Sequence, residues 1–218
     1  MNILLGVTGS IAAYKAASVV SVLRDKGHDV RVCMTKAATL FVGPVTFSAL
    51  SHNPVILDED EWKPDGRILH IELAQRWADV LVILPATYDF IGKMLAMRAD
   101  DALSSIYAAW NREVLVCPAM NTVMWDSLFQ HLQTLPRTSF VAFFDGKESE
   151  WGFKPCFRSK TMLIRLPVKG KLACGGVGMG SLPSTKELIG FIEGYLGLAD
   201  KYGLIKNHPS QLLNERIV

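Results

Sequence analysis

The residues best suited to chemistry stand at the ends of two apolar runs. VLVILP (Val80 to Pro85) is preceded by His70 and followed by Ala86-Thr87-Tyr88-Asp89. VLVCPAMN (Val114 to Asn121) ends in Pro-Ala and then Met120-Asn121. Histidine is the side chain that exchanges protons near neutrality. Asparagine offers two amide donors without charge. A single site holding both His70 and Asn121 is the expectation. A second constellation is Gly6-Val7-Thr8-Gly9-Ser10, which ends a strand and opens a helix. Backbone N–H groups at such a helix entry, with the Ser10 hydroxyl, suit a phosphate. Thr35-Lys36 follows a second strand and would reach the same sheet edge; solvation of Lys36 and capping by Thr35 are the bland alternative. The pair Asp100-Asp101 could serve metal or acid–base work. No His or Cys stands near it at ligand spacing, so capping of the next helix is the better reading. The sequence KLACGGVGMGS (Lys171 to Ser181) sets Cys174 among four glycines, the mark of a flexible or tightly turned loop.

These residues need a scaffold, and the hydrophobic pattern supplies one. Short β-branched runs without polar alternation are strands buried on both faces. Strands are expected over Asn2 to Val7, Asp29 to Met34, Val80 to Pro85, Glu113 to Cys117 and Ser139 to Phe144. Between them, helical spacing covers Ile11 to Lys26 with Gly27 as C-cap, and a helix within Ala37 to Leu50 is broken near Gly43-Pro44. Further helices are expected over Leu69 to Trp77, Phe90 to Met97, Ala102 to Trp110 and Thr122 to Leu135. A last one runs from Ser184 to Leu196, capped by Ser184 with Glu187 in its third position. Ser51 to Gly66, with the acidic run DEDEW (Asp58 to Trp62), reads as a long surface loop whose carboxylates form a solvated face. Asp145 to Gly170 reads as a surface excursion that includes a hairpin around Thr161 to Leu166. The fold class is α/β: one doubly wound parallel sheet, Rossmann-like, with helices on both faces. Residues 1–198 form the domain and 199–218 a polar tail. In such sheets ligands bind beyond the carboxyl ends of the strands.

Bulk properties narrow the function. Half of the 218 residues are hydrophobic and a fifth charged, enough for a sizeable core. Lys plus Arg exceed Asp plus Glu by 23 to 21, a net +2, too little to argue for nucleic acid or an anionic membrane. No apolar run approaches the roughly 20 residues of a membrane span. MNILLGVTGS lacks a basic n-region and runs straight into a strand, so a domain start is expected rather than a signal peptide. Cys33, Cys117, Cys156 and Cys174 form no CxxC pair, which suits a reducing, cytoplasmic setting.

GVTGSIAAYK (Gly6 to Lys15), HIELAQRWADVLVILPAT (His70 to Thr87), IGK…ADDAL (Ile91 to Leu103), PAMNTVMW (Pro118 to Trp125) and LACGGVGMGSL (Leu172 to Leu182) occur in the order of one family. Together they resemble the homo-oligomeric flavin-containing cysteine decarboxylases, and most closely the branch acting on 4′-phosphopantothenoylcysteine. The resemblance extends to about Gly194. It implies an FMN-binding parallel-sheet fold, a homotrimer or higher multiple, and oxidative decarboxylation of a terminal cysteine. The substrate would be 4′-phosphopantothenoylcysteine, converted to 4′-phosphopantetheine in coenzyme A biosynthesis. By resemblance Gly9, Ser10 and Ile11 form the first flavin-binding turn, and Thr35, Lys36 and Ala37 the second. Thr87, Tyr88, Asp89 and Phe90 form the third, and Ala119 the fourth. His70 resembles the active-site histidine, Asn121 the residue that holds the substrate carboxylate, and Met124 a part of the same motif. Cys174 resembles the cysteine that protonates the late intermediate. This chain departs from the family pattern at Asp89, where Asn is usual, at Gly176, where an acid is common, and at Ser181, where a base often stands. Two other readings remain open here: a peptidyl-cysteine decarboxylase of lantibiotic type, and a phosphatase-inhibiting regulatory subunit built on the same fold.

Overall fold

The computed structural model describes residues 1–135, 141–145, 160–173 and 175–201. Six strands form one parallel sheet: β1 (Asn2–Val7), β2 (Asp29–Met34), β3 (Val80–Ala86), β4 (Val114–Pro118), β5 (Val141–Phe144) and β6 (Met162–Arg165). Their order is β2-β1-β3-β4-β6-β5. β1 therefore has β2 on one side and β3 on the other, and the winding reverses between β1 and β3. That reversal opens a crevice at the carboxyl edge of the sheet.

The alternation of side chains along β1 explains the three layers. Ile3, Leu5 and Val7 face one way, and Leu4 faces the other. On the first face lie α1 (Ala13–Asp25), α2 (Pro44–Ser51) and α8 (Thr185–Lys201). On the second lie α5 (Tyr88–Leu95), α6 (Ala102–Ala109) and α7 (Thr122–Thr134). Leu73 and Ala74 join this second core. Two short helices, α3 (Asp58–Glu61) and α4 (Leu69–Ile71), precede β3.

Most expected elements occupy their expected places, with informative exceptions. α1 starts at Ala13 rather than Ile11, because Gly9 to Ala12 forms a tight turn. Thr161 to Leu166 is no hairpin: Met162–Arg165 inserts as a parallel strand between β4 and β5. Its four residues are all buried, as only an interior strand allows. The hairpin lies one step later, where β7 (Val168–Lys171) pairs antiparallel with β8 (Val177–Ser181). Leu69 to Trp77 begins as α-helix, but Glu72–Trp77 is wound as π-helix, a geometry frequent at functional sites. The acidic loop contains the helical turn α3, and its carboxylates are used rather than merely solvated. Asp58 accepts from Ala102 N–H, and Asp60 accepts from Leu57 N–H. Of the expected strand Ser139 to Phe144, residues 139 and 140 lie outside the described residues, as does most of the expected tail.

Candidate active site

The cleft at the switch point measures about 690 Å³ and is lined from the ends of four strands. Beyond β1 stand Thr8, Gly9 and Ser10; beyond β2, Thr35, Lys36 and Ala37; beyond β3, Thr87, Tyr88, Asp89 and Phe90; beyond β4, Ala119 and Met120. All the expected flavin-binding residues except Ile11 are here, with Met124 beside them. Thr8 fastens two of these ends together. Its hydroxyl donates to Pro85 O (2.7 Å) and accepts from Thr87 N–H (3.0 Å). The register of β3 against β4 shifts between Ile83 and Ala86, which splays the strand ends just where the cleft opens.

The backbone of the cleft fits an anionic mononucleotide. Among the described residues, the N–H groups of Gly9, Lys36, Ala37, Tyr88 and Asp89 make no hydrogen bond. Two of them, at Tyr88 and Asp89, belong to the first turn of α5, which is capped by the Thr87 hydroxyl. Gly9 is required by crowding: a Cβ there would fall 2.5 Å from the Ala37 Cβ, so the first two turns could not close together. On the far wall one lysine is shared by two carboxylates. Lys93 Nζ donates to Asp101 Oδ2 (2.7 Å) and Asp100 Oδ1 (2.9 Å). Burial acts to lower the Lys93 pKa, but those two hydrogen bonds outweigh it and hold the ammonium above its usual value. Asp101 also caps α6, accepting from Ser104 N–H at 2.7 Å, so the carboxylate pair does the capping expected of it. Asp58 and Lys93, which line this cleft, were not legible as site residues in the sequence.

A second cleft of about 350 Å³ shares Ser10, Ala119 and Met120 with the first. Ile11 and Asn121 line it, together with Lys15, Lys171, Leu172 and Ala173. Asn121 is the N-cap of α7: its Oδ1 accepts from Val123 N–H at 2.8 Å, which orients the amide. The β7–β8 hairpin is docked against this segment. Met120 N–H donates to Gly180 O at 3.0 Å. A Cβ on Gly178 would fall 2.2 Å from Thr122 Oγ1, and one on Gly180 only 2.1 Å from Met120 O. The glycine density thus reflects close packing of a hairpin, not looseness alone. Lys15 Nζ donates to Leu182 O (2.8 Å) and Pro183 O (3.3 Å), and burial lowers its pKa against the pull of Glu187.

One expected residue is placed differently, and another lies outside the described residues. His70 lines neither cleft, so neither cleft brings it together with Asn121. Its side chain is 30% exposed on α4, and Nδ1 is hydrogen-bonded to Glu61 Oε1. Cys174 lies outside the described residues; Ala173 before it lines the second cleft, and Gly175 after it has φ +87°. No group of three or more His, Cys, Asp or Glu that could hold a metal occurs among the described residues, and no described helix is long and apolar enough to cross a membrane.

A doubly wound parallel sheet whose switch-point cleft offers unpaired N–H groups from three strand ends is a mononucleotide-binding protein of the flavodoxin-like kind. The chain belongs to the Flavoprotein family, whose model matches residues 1–197. It is 34% identical over 215 residues to the coenzyme A biosynthesis bifunctional protein CoaBC of Vibrio cholerae, covering 96% of this chain and 48% of that protein. The chain thus spans about half the length of the curated relatives it matches. Among solved structures, a PPC decarboxylase mutant complexed with pantothenoylaminoethenethiol superposes with a TM-score of 0.70 at 29% identity. The match covers 90% of this chain and 98% of the other. The FMN-binding protein AtHal3 follows with a TM-score of 0.66 at 30% identity, covering 89% and 95%.

Proposed function

We propose that this chain is an FMN-dependent decarboxylase that converts 4′-phosphopantothenoylcysteine to 4′-phosphopantetheine in coenzyme A biosynthesis. The observation that carries the reading is the convergence of Gly9-Ser10, Thr35-Ala37, Thr87-Phe90 and Ala119 on one cleft. The similarity to the decarboxylase complex and to the CoaBC proteins supplies the substrate class. The N–H groups beyond β1, β2 and β3, with Ser10 and Thr35, would hold FMN. When bound, FMN supplies reversible two-electron oxidation, which a cysteine needs before its carboxylate can leave.

The protein's own groups then divide the work. Asn121 presents amide donors for the substrate carboxylate, and because the amide is neutral it does not oppose loss of carbon dioxide. Its capping bond to Val123 N–H fixes the amide. Met124, at the edge of the first cleft, packs on the same substrate arm. His70 takes or orients the thiol proton. Cys174, the residue after Ala173, delivers the proton that finishes the saturated thiol; this assignment rests on the sequence resemblance. We place the reaction in a reducing, cytoplasmic compartment. The free buried thiols of Cys33 and Cys117 support that setting.

Assembly completes the site in this reading. His70 stands outside both clefts; Ile11 and Tyr14, which line the second cleft, and Leu40, Phe41 and Val45, which follow β2 in the chain, are large apolar side chains left exposed. A homotrimer or a higher multiple would cover them and bring one copy's His70 to its neighbour's cleft. Paired variants test these roles. Asp caps a helix as well as Asn does, so Asn121→Asp should leave the fold intact while setting an anion against the substrate carboxylate. Asn121→Asp should bind FMN and lose turnover; His70→Asn should bind FMN and fail to reduce it with substrate. Wild-type turnover by either variant would remove that residue from the mechanism. A colourless protein after incubation with FMN would overturn the cofactor assignment.

A further inference from the structure

We propose that Glu61 is the positioning residue for His70, fixing its tautomer and leaving Nε2 as the working nitrogen. The inference rests on the reading of His70 as the proton-handling group and adds a residue to it. Glu61 Oε1 is bonded to His70 Nδ1. A carboxylate is an acceptor only, so the proton in this bond sits on Nδ1. The Nε2 lone pair is then the ring's basic site, as in other carboxylate–imidazole pairs.

The burial of Glu61 distinguishes it from a surface staple. Its side chain is 4% exposed although it belongs to an acidic turn of four residues. Its second oxygen, Oε2, is buried without a hydrogen-bond partner among the described residues. Holding a half-satisfied carboxylate out of water is costly, and an apolar residue would pack there with less penalty. Anchoring of α3 does not require it either. Asp58 already ties the turn to Ala102 N–H, and Asp60 closes it on Leu57 N–H and pairs with Lys63. With the turn already tied by Asp58 and Asp60, the remaining contribution of α3 is to aim Glu61 at the imidazole. The π-wound segment directly after α4 starts at Glu72, two residues beyond His70.

The test uses the FMN-loaded oligomer with Glu61→Ala, Glu61→Gln and His70→Asn. Imidazole nitrogen NMR, with the His70 signal assigned by its loss in His70→Asn, reads the tautomer directly. Anaerobic mixing with 4′-phosphopantothenoylcysteine reads the rate of flavin bleaching. Wild type is expected in the Nδ1–H form. Glu61→Ala should shift toward the Nε2–H form and bleach flavin about 10–100-fold more slowly, the range known for losing the carboxylate partner of a metal-bound imidazole. Glu61→Gln, which keeps a carbonyl acceptor, should fall between and remains available if the Ala variant does not fold. A Glu61 variant with lower melting temperature but unchanged tautomer and bleaching rate would overturn the proposal and leave Glu61 a structural staple. If His70→Asn itself bleaches flavin at the wild-type rate, the role of His70 fails, whatever Glu61 does to the tautomer.

Discussion

Gly180 offers a sharp test of how the hairpin builds the second cleft. Its φ is +133°, outside the range L side chains ordinarily adopt, and a Cβ would lie 2.1 Å from Met120 O. Gly180→Ala therefore combines backbone strain, roughly 1–3 kcal/mol, with a clash that forces the hairpin off the β4–α7 turn. That movement breaks the bond from Met120 N–H to Gly180 O, worth about 0.5–1.5 kcal/mol net. The docked hairpin should lose about 2–4 kcal/mol against its opened form, that is, roughly 30–1,000-fold in the opening equilibrium. Native-state hydrogen exchange at the Met120 amide reads this number, while amides in β1 and β3 should be little changed. The substrate KM should rise with it, since Asn121 and Ala173 line the cleft that the hairpin walls. Unchanged protection at Met120 together with unchanged KM would refute the claim that hairpin docking shapes the site.

Three further outcomes follow from the packing. Asp101→Ala removes the α6 cap and one partner of Lys93, and should cost about 1–2 kcal/mol by urea denaturation, with Lys93 still held by Asp100; no measurable loss would show that the cap is unimportant. Burial raises the Glu113 pKa above its ordinary 4.5, against the bond it accepts from Tyr195 OH. The folded form therefore binds this proton more tightly than the unfolded chain, so stability due to Glu113 is fullest below about 4.5 and is lost as pH rises through the folded value. Wild type should accordingly gain on Glu113→Gln in melting temperature as pH falls from about 7 toward about 4.5; a constant difference would contradict the assignment. Burial pushes the Cys117 thiol up to about 12 and the Cys33 thiol well above its ordinary value. Both should resist iodoacetamide at about pH 8 in the native protein and react at once in denaturant, as peptide mapping would show.

Much of the fold was legible because parallel strands buried on both faces leave a near-continuous apolar signature, and β1, β3 and β4 carry it, while the edge strand β2 is interrupted by Asp29 and Arg31. The strand-end turns were legible for the same reason, since the sheet edge follows from where the apolar runs stop. β6 was not. Its four residues look alike as an edge hairpin or an interior strand, and only pairing with both β4 and β5 decides. Glu61 was hidden for a different reason. A run of four acids reads as solvated surface, and nothing in the local pattern says that one of them turns inward to an imidazole nine residues later. The joint placement of His70 and Asn121 also exceeded what the sequence could specify: the order of motifs along the chain does not say which strand-end cleft each residue enters, and His70 enters neither of the two.

In the proposed function the switch-point cleft carries FMN and uses it to decarboxylate a cysteine conjugate without outside reductant. The most direct measurement is the mass of the product formed when the yellow, FMN-loaded protein is incubated anaerobically with 4′-phosphopantothenoylcysteine. Loss of one carbon dioxide, the saturated thiol 4′-phosphopantetheine, and flavin returned to its oxidised spectrum are expected. A product two hydrogens lighter with the flavin left reduced would assign the chemistry to the peptidyl-cysteine type instead, and unchanged substrate with a flavin spectrum that never bleaches would contradict the claim outright.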